Sequence, residues 1–182
     1  ESANIPYVGA KLLSSAVCMD KYVFKCILRG AHLPCADFCT LRQHEYKTNP
    51  HALDAIVNQL GLPLFVKPVN LGSSIGIHKI YDATQLKTAV TDVFTYTDHI
   101  LFEAYIRGRE LECAVIGNDK PRATLPAELH TTHDFYSYEA KYLDPNGASI
   151  IIPAQTDPSV QATIQKMATE CFNQLQCRDY SR

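Results

Sequence analysis

Lys67 lies inside an apolar run, Phe65-Val66-Lys67-Pro68-Val69, where an ammonium group is costly to bury unless an anion or a polar cleft receives it. Just beyond it, Gly72-Ser73-Ser74-Ile75-Gly76 combines two glycines, which allow close backbone approach, with amides and hydroxyls that could donate to phosphate oxygens. Alone, such a loop is more often a plain hairpin between strands, and the preceding strand lysine shifts the reading toward an anion. Neither G-x-x-x-x-G-K-[ST] nor G-x-G-x-x-G occurs, so the loop is neither a Walker loop nor a dinucleotide fingerprint.

Glu110 and Glu112 share one face of an alternating segment, where carboxylates could accept hydrogen bonds from ribose hydroxyls or simply stay solvated. In Tyr138-Glu139-Ala140-Lys141-Tyr142 a lysine is framed by tyrosines and preceded by Phe135-Tyr136. A segment of this kind could close over a phosphate and exclude water, or could pack as ordinary surface.

These groups need a scaffold. Met19, Val23, Phe24, Ile27 and Leu28 recur at helical steps and predict a helix ending near Gly30. Asp37 to Leu41 reads as a strand, Ala52 to Leu60 as a helix closed by Gly61, and Leu64 to Val69 and Ile77 to Tyr81 as strands flanking the Gly/Ser loop. Asp82 and Gln85 form a capping box opening a helix with Leu86, Ala89, Val90, Val93 and Phe94 on its buried face. Ile100 to Tyr105 and Glu110 to Val115 are further strands separated by the Arg107-Gly108-Arg109 turn, and Arg122 to Leu125 pairs nearby. Pro126 to Asn146 shows no sustained period and reads as a long functional loop. Asp157-Pro158 starts a last helix with an apolar stripe from Val160 to Leu175. Helices interrupt the strands irregularly, so the fold class is α+β in two lobes, meeting near Glu103 to Gly108.

With 182 residues, 46% of them hydrophobic, the chain can bury a proper core. A net charge of -2 without any basic cluster disfavours nucleic acid or anionic lipid as a partner. No segment is long enough to cross a bilayer and the first residues do not form a signal peptide, so a cytoplasmic location is expected. Seven scattered cysteines and seven histidines without ligand spacing suggest reduced core thiols and no zinc site.

Taken in order, Ile5-Pro6-Tyr7-Val8-Gly9, Met19-Asp20-Lys21, Phe65-Val66-Lys67-Pro68, Leu71-Gly72-Ser73-Ser74-Ile75-Gly76, Arg109-Glu110-Leu111-Glu112-Cys113-Ala114-Val115, Leu125-Pro126-Ala127-Glu128 and Phe135 to Tyr142 resemble the D-alanine-D-alanine ligase family of the ATP-grasp superfamily. The resemblance runs nearly the whole length. It implies an ATP-grasp fold with a nucleotide cleft between two lobes, divided as residues 1–8 (tail of an N-terminal domain), 9–103 (central lobe with the phosphate loop) and 104–182 (first part of the C-terminal lobe). It further implies that ATP phosphorylates one D-alanine carboxylate and that the amine of a second displaces phosphate, giving the dipeptide of peptidoglycan precursors, with Mg2+ or Mn2+ as cofactor. The family is commonly dimeric.

By the same resemblance, Lys21, Lys67 and Lys141 neutralise the ATP phosphates under the loop carrying Ser73 and Ser74. The hinge Glu103, Ala104, Tyr105 and Ile106 holds adenine through its backbone, Glu110 holds the ribose, and Phe135 belongs to the nucleotide site. Ser73, Lys141, Tyr142 and Arg182 are the residues assigned to catalysis, which rests on positioning and charge stabilisation. Tyr142 matches dipeptide-forming members, favouring D-alanine over D-lactate as second substrate. Another ATP-grasp carboxylate-amine ligase and a non-catalytic nucleotide-binding module are the alternatives.

The family's metal ligands are expected beyond Arg182, so the fold is expected to be incomplete at its C-terminus and no metal ligand is assigned here. Arg182 is expected to be poorly held. The expectation is that the isolated chain binds adenine nucleotide weakly without ligating; D-alanine-dependent ADP release by verified 182-residue material would overturn it.

Overall fold

A computed structural model describes residues 1–182. Along the chain come α1 (Leu12–Met19) and α2 (Lys21–Gly30), then β1 (Phe38–Arg42), α3 (Gln43–Thr48), α4 (Ala52–Leu60), β2 (Leu64–Pro68), β3 (His78–Ile80), α5 (Ala83–Val93) and β4 (His99–Ala104). The second half holds β5 (Glu110–Glu112), β6 (Val115–Ile116), β7 (Arg122–Ala123), β8 (Ala127–Thr131), α6 (Tyr138–Tyr142), β9 (Ala148–Ile151), α7 (Pro158–Gln174) and β10 (Tyr180–Ser181). No helix is long and apolar enough to cross a membrane.

The chain divides into two compact units, one of residues 19–22 and 35–107, the other of residues 1–18, 23–34 and 108–182. The first unit is built on an antiparallel sheet of order β1-β4-β2-β3. In β2, Leu64, Val66 and Pro68 are buried and alternate with half-buried Phe65 and Lys67, so the period of two aims the lysine at the face opposite the core. Leu64, Val66, Ile100 and Phe102 pack under α4 and α5, whose Ile56, Leu86, Ala89, Val90 and Val93 complete the core. The expected box at the start of α5 is present: the Asp82 carboxylate accepts from the Thr84 amide at 2.8 Å and Gln85 Oε1 from the Asp82 amide at 3.3 Å.

The second unit carries two three-stranded sheets, β10-β6-β7 and β5-β8-β9, all antiparallel. Val115, Phe172, Leu175 and Cys177 form its buried cluster, with Val17, Phe24, Ile27 and Ala168 packed against it.

Four expectations need correction. The strand expected from Glu110 to Val115 breaks at Cys113-Ala114 into β5 and β6, which belong to different sheets; the Ala114 amide turns to Thr124 Oγ1 at 3.2 Å. Pro126 to Asn146 is not one loop but contains β8 and α6. The alternation that would reveal β8 is spoiled because Glu128 and Leu129 are adjacent and both buried. Two helices escaped the periodicity: α1, where the single buried residue is Ser14, and α3, which buries nothing and is opened by the Arg42 amide donating to Glu45 Oε2 at 2.7 Å. The thiols are not uniformly core groups, since Cys18 and Cys26 are exposed and only Cys177 is buried. Burial nevertheless pushes Cys39 and Cys171 up to about 11, keeping both as inert thiols at neutral pH.

Candidate functional site

In the first unit Lys67 Nζ donates to Glu103 Oε1 at 2.7 Å. β2 and β4 pair with Lys67 opposite Leu101 and Phe65 opposite Glu103, so lysine and glutamate are diagonal neighbours on one face of the sheet. Both side chains are largely shielded, at 14% and 16% exposure. The Phe65 ring lies 5.6 Å from the ammonium.

Lys21, at the start of α2, reaches back to the end of β2, the strand that carries Lys67. Its Nζ donates to the carbonyls of Pro68 at 3.0 Å, Val69 at 3.4 Å and Leu71, while its amide donates to Val69 O at 3.0 Å. Burial, then the charge of Lys67, brings the Lys21 ammonium down to about 8, against opposing pulls from Asp20 and Glu103. The two ammonium groups are thus close enough to repel, and Lys21 sits on the carbonyls that lead into the Gly72 loop. In that loop Ser73 and Ser74 hold left-handed φ values of 53° and 58°, strained for residues with a Cβ, and Gly76 follows at 66°.

The hinge from Glu103 to Ile106 leaves β4 with two amides already engaged: Ala104 donates to Asp37 O at 2.9 Å and Tyr105 to Pro63 O at 3.2 Å. Lys79 Nζ sits over the Tyr105 ring at 4.2 Å and the Tyr81 ring at 5.0 Å. The sequence reading missed this lysine, and the alternation of His78, Lys79 and Ile80 in a short strand gave no signal for it.

The second unit gathers another set. Glu110 and Glu112 lie on β5, and Arg182 Nη1 donates to Glu112 Oε2 at 2.8 Å. Arg182 is therefore tied by an ion pair next to β10, contrary to the expectation that it would be poorly held. Burial foremost, then Glu112, pushes the Glu110 carboxyl above its usual value, and Lys141 pulls it back, so Glu110, Glu112 and Lys141 lie within electrostatic reach of one another. Lys141 Nζ lies 4.5 Å over the Tyr136 ring, Phe135 is half-buried, and Tyr142 is 59% exposed against Tyr138 at 4.9 Å between centroids.

β5 is anchored by a bidentate pair at its start. Arg109 Nε and Nη2 donate to Glu128 Oε1 and Oε2 at 2.6 and 2.5 Å, and Nη2 also to Gln155 O at 2.9 Å. This Arg109 fork, more than any other group, holds the Glu128 carboxyl down at about 2. The folded pKa lies below the ordinary 4.5, so the contribution to stability is complete above pH 4.5 and is lost as pH falls toward 2. Arg109→Gln is accordingly expected to be less stable than the parent by a constant margin at neutral pH, with the margin shrinking between pH 4.5 and 2; urea midpoints measured down that range check it.

No group of three or more His, Cys, Asp or Glu in residues 1–182 could hold a metal ion, so these residues do not by themselves fit the divalent cation that the resemblance implies.

Residues 27–182 match the family model described as D-ala D-ala ligase C-terminus. A curated D-alanine--D-alanine ligase of Oceanobacillus iheyensis is 44% identical over 180 residues, which is 99% of this chain and 49% of that protein. The D-alanine--D-alanine ligase A of Escherichia coli K12 is 42% identical, with the same shares covered. The chain therefore spans about half the length of the curated relatives it matches. Among solved structures, the D-alanine-D-alanine ligase of Coxiella burnetii superposes with a TM-score of 0.80 at 35% identity, covering 97% of this chain and 45% of that one. The VanG D-Ala:D-Ser ligase of Enterococcus faecalis superposes at 0.87 with 32% identity, covering 98% and 51%. With an ATP-grasp α+β fold on this sequence pattern, the chain belongs to the D-alanine-D-alanine ligase C-terminal family.

Proposed function

We propose that this chain is the nucleotide-binding part of a ligase that uses ATP to join two D-alanines through an acyl phosphate. The observation that supports the reading is a pair of shielded lysines near enough to feel each other's charge, Lys67 beside Glu103 and Lys21 on the Pro68, Val69 and Leu71 carbonyls that lead into the Gly72 loop. Two ammonium groups in a poorly hydrated setting are a receptor for polyphosphate. Lys141 supplies a third cation and Ser73 and Ser74 the covering loop. With the Ala104 and Tyr105 amides spent, Ile106 N–H and the hinge carbonyls are the groups left to hold adenine, and Glu110 takes the ribose. Transfer of the γ-phosphoryl group to the first D-alanine makes the carboxylate an acyl phosphate. The amine of the second D-alanine then adds, phosphate leaves, and Arg182 stabilises the oxyanion formed in between. Tyr142 lies beside Lys141, where it bears on the choice of D-alanine as second substrate.

ADP titrated into the folded chain by calorimetry tests the reading: saturable binding is expected, and a folded chain that binds none overturns it. D-Serine as second substrate is the second reading, favoured by the fold match to the D-Ala:D-Ser ligase. D-Alanine, D-lactate and D-serine supplied in parallel to a protein of the relatives' full length separate the two.

A pH effect follows from Lys21. Its folded pKa of about 8 lies below the ordinary 10.5, so the ammonium costs stability below pH 8, and that cost fades as pH rises toward 10.5. A phosphate beside it restores the proton. ADP binding at pH 8, where the ADP phosphates are already ionised, is expected to take up a fraction of a proton, seen as a dependence of binding enthalpy on the buffer's ionisation enthalpy.

A further inference from the structure

The stretch between β8 and β9 returns on itself at its base. Thr131 Oγ1 donates to Gly147 O at 3.0 Å, the Thr132 amide to the same carbonyl at 3.1 Å, and Thr132 Oγ1 to Asn146 O at 3.2 Å. One step further out, His133 Nε2 meets Asp144 Oδ2 at 2.8 Å, with both side chains partly shielded. Asp144 is a hub: its Oδ1 accepts from the Asn146 amide at 2.9 Å, and its own amide donates to Glu139 O, inside α6, at 3.0 Å.

α6 itself has almost no apolar anchor. Tyr138, Tyr142 and Leu143 are exposed, and only Ala140 is buried. Ala140 lies against the Gly147 backbone so closely that a Cβ on Gly147 would stand 2.7 Å from Ala140 Cα. A helix of five residues without a hydrophobic face takes its position from polar ties and from this one backbone contact.

We propose that His133 and Asp144 are positioning residues that fix α6, and through it the Lys141 ammonium, for the nucleotide phosphates. The inference rests on the nucleotide reading above. The link is short: Asp144 follows α6 by two residues, its amide donates to Glu139 O within the helix, and Lys141 sits in that turn. The His133 contact fixes the Asp144 end of this turn, while Ser137 caps the other end through the Ala140 amide at 3.2 Å.

The test compares ADP and adenosine binding to the full chain for the parent, His133→Ala, Asp144→Asn, Lys141→Ala and the His133→Ala/Lys141→Ala double variant, with folding checked by circular dichroism. His133→Ala is expected to weaken ADP by about tenfold, the size of one charge-assisted hydrogen bond, and to leave adenosine unchanged. Asp144→Asn, which keeps an acceptor for the imidazole, is expected to recover most of the affinity. In the Lys141→Ala background the His133 substitution is expected to add nothing, because the clasp acts through that lysine. Hydrogen exchange at the Lys141 and Leu143 amides, expected to quicken in His133→Ala, reads the position of α6 without nucleotide. Normal ADP affinity in a folded His133→Ala, equal losses for ADP and adenosine, or full additivity with Lys141→Ala overturns the inference while the nucleotide reading stands. A folded parent that binds no ADP overturns both.

Discussion

Lys67→Ala is expected to abolish measurable ADP binding at concentrations that saturate the parent. Losing one partner of a shielded charge contact costs about 2–5 kcal/mol of binding, a weakening of at least about thirtyfold. The substitution has a second consequence, because Lys67 is also the partner of Glu103 at 2.7 Å. Removing the ammonium takes from a shielded carboxylate its cationic partner, and breaking a buried ion pair in this way destabilises a fold by about 3–5 kcal/mol. A bare loss of binding would therefore be ambiguous. Replacing both partners, Lys67→Met with Glu103→Gln, removes the stranded charge, and the double variant is expected to recover most of the lost stability in urea titration while ADP binding stays lost. Recovery of binding along with stability would mean that Lys67 serves the sheet and not the nucleotide, and the phosphate role would be withdrawn.

The largest purely structural effect is expected at Phe102. It lies in β4, the strand between β1 and β2, and is fully buried among Leu64-side strand residues and the faces of α4 and α5. Phe102→Ala opens a cavity too deep in the sheet to be closed by local movement, and about 3–5 kcal/mol of stability is expected to go with it. Since whole domains have only about 5–15 kcal/mol, unfolding of this unit at moderate temperature is the expected outcome, followed by calorimetry or circular dichroism. Phe102→Leu, which retains most of the volume, is expected to lose much less. The site feels the difference, because the next residue is Glu103: a loosened β4 moves the partner of Lys67 and the start of the hinge together. ADP affinity in Phe102→Leu near that of the parent, beside a large loss in Phe102→Ala well below its melting temperature, would separate a positioning effect from unfolding.

How much of this was legible beforehand follows from which signals are local. The helix Ala52–Leu60, the capping box at Asp82 and Gln85, and the helix beginning at Pro158 appear in the structure where the residues placed them. Each rests on contacts between residues a few positions apart, so the spacing carries the information. Lys67 was conspicuous for the same reason: a charge in a strand of apolar alternation is an anomaly visible in five letters. Helix α3, with nothing buried, and strand β8, with Glu128 inside, were invisible because their burial departs from the usual link between polarity and exposure.

The sequence by itself determined the family and the α+β class, since period, composition and motif order suffice for these. Only the tertiary structure decided that Glu103 neutralises Lys67, that Lys21 is spent on the carbonyls before the Gly72 loop, that Arg109 holds Glu128, that Arg182 is tied to Glu112, and that His133 clasps Asp144. Those partners lie between 11 and 70 residues apart in the chain. Strand pairing and chain reversal, neither of which leaves a mark in local spacing, bring them within hydrogen-bonding distance.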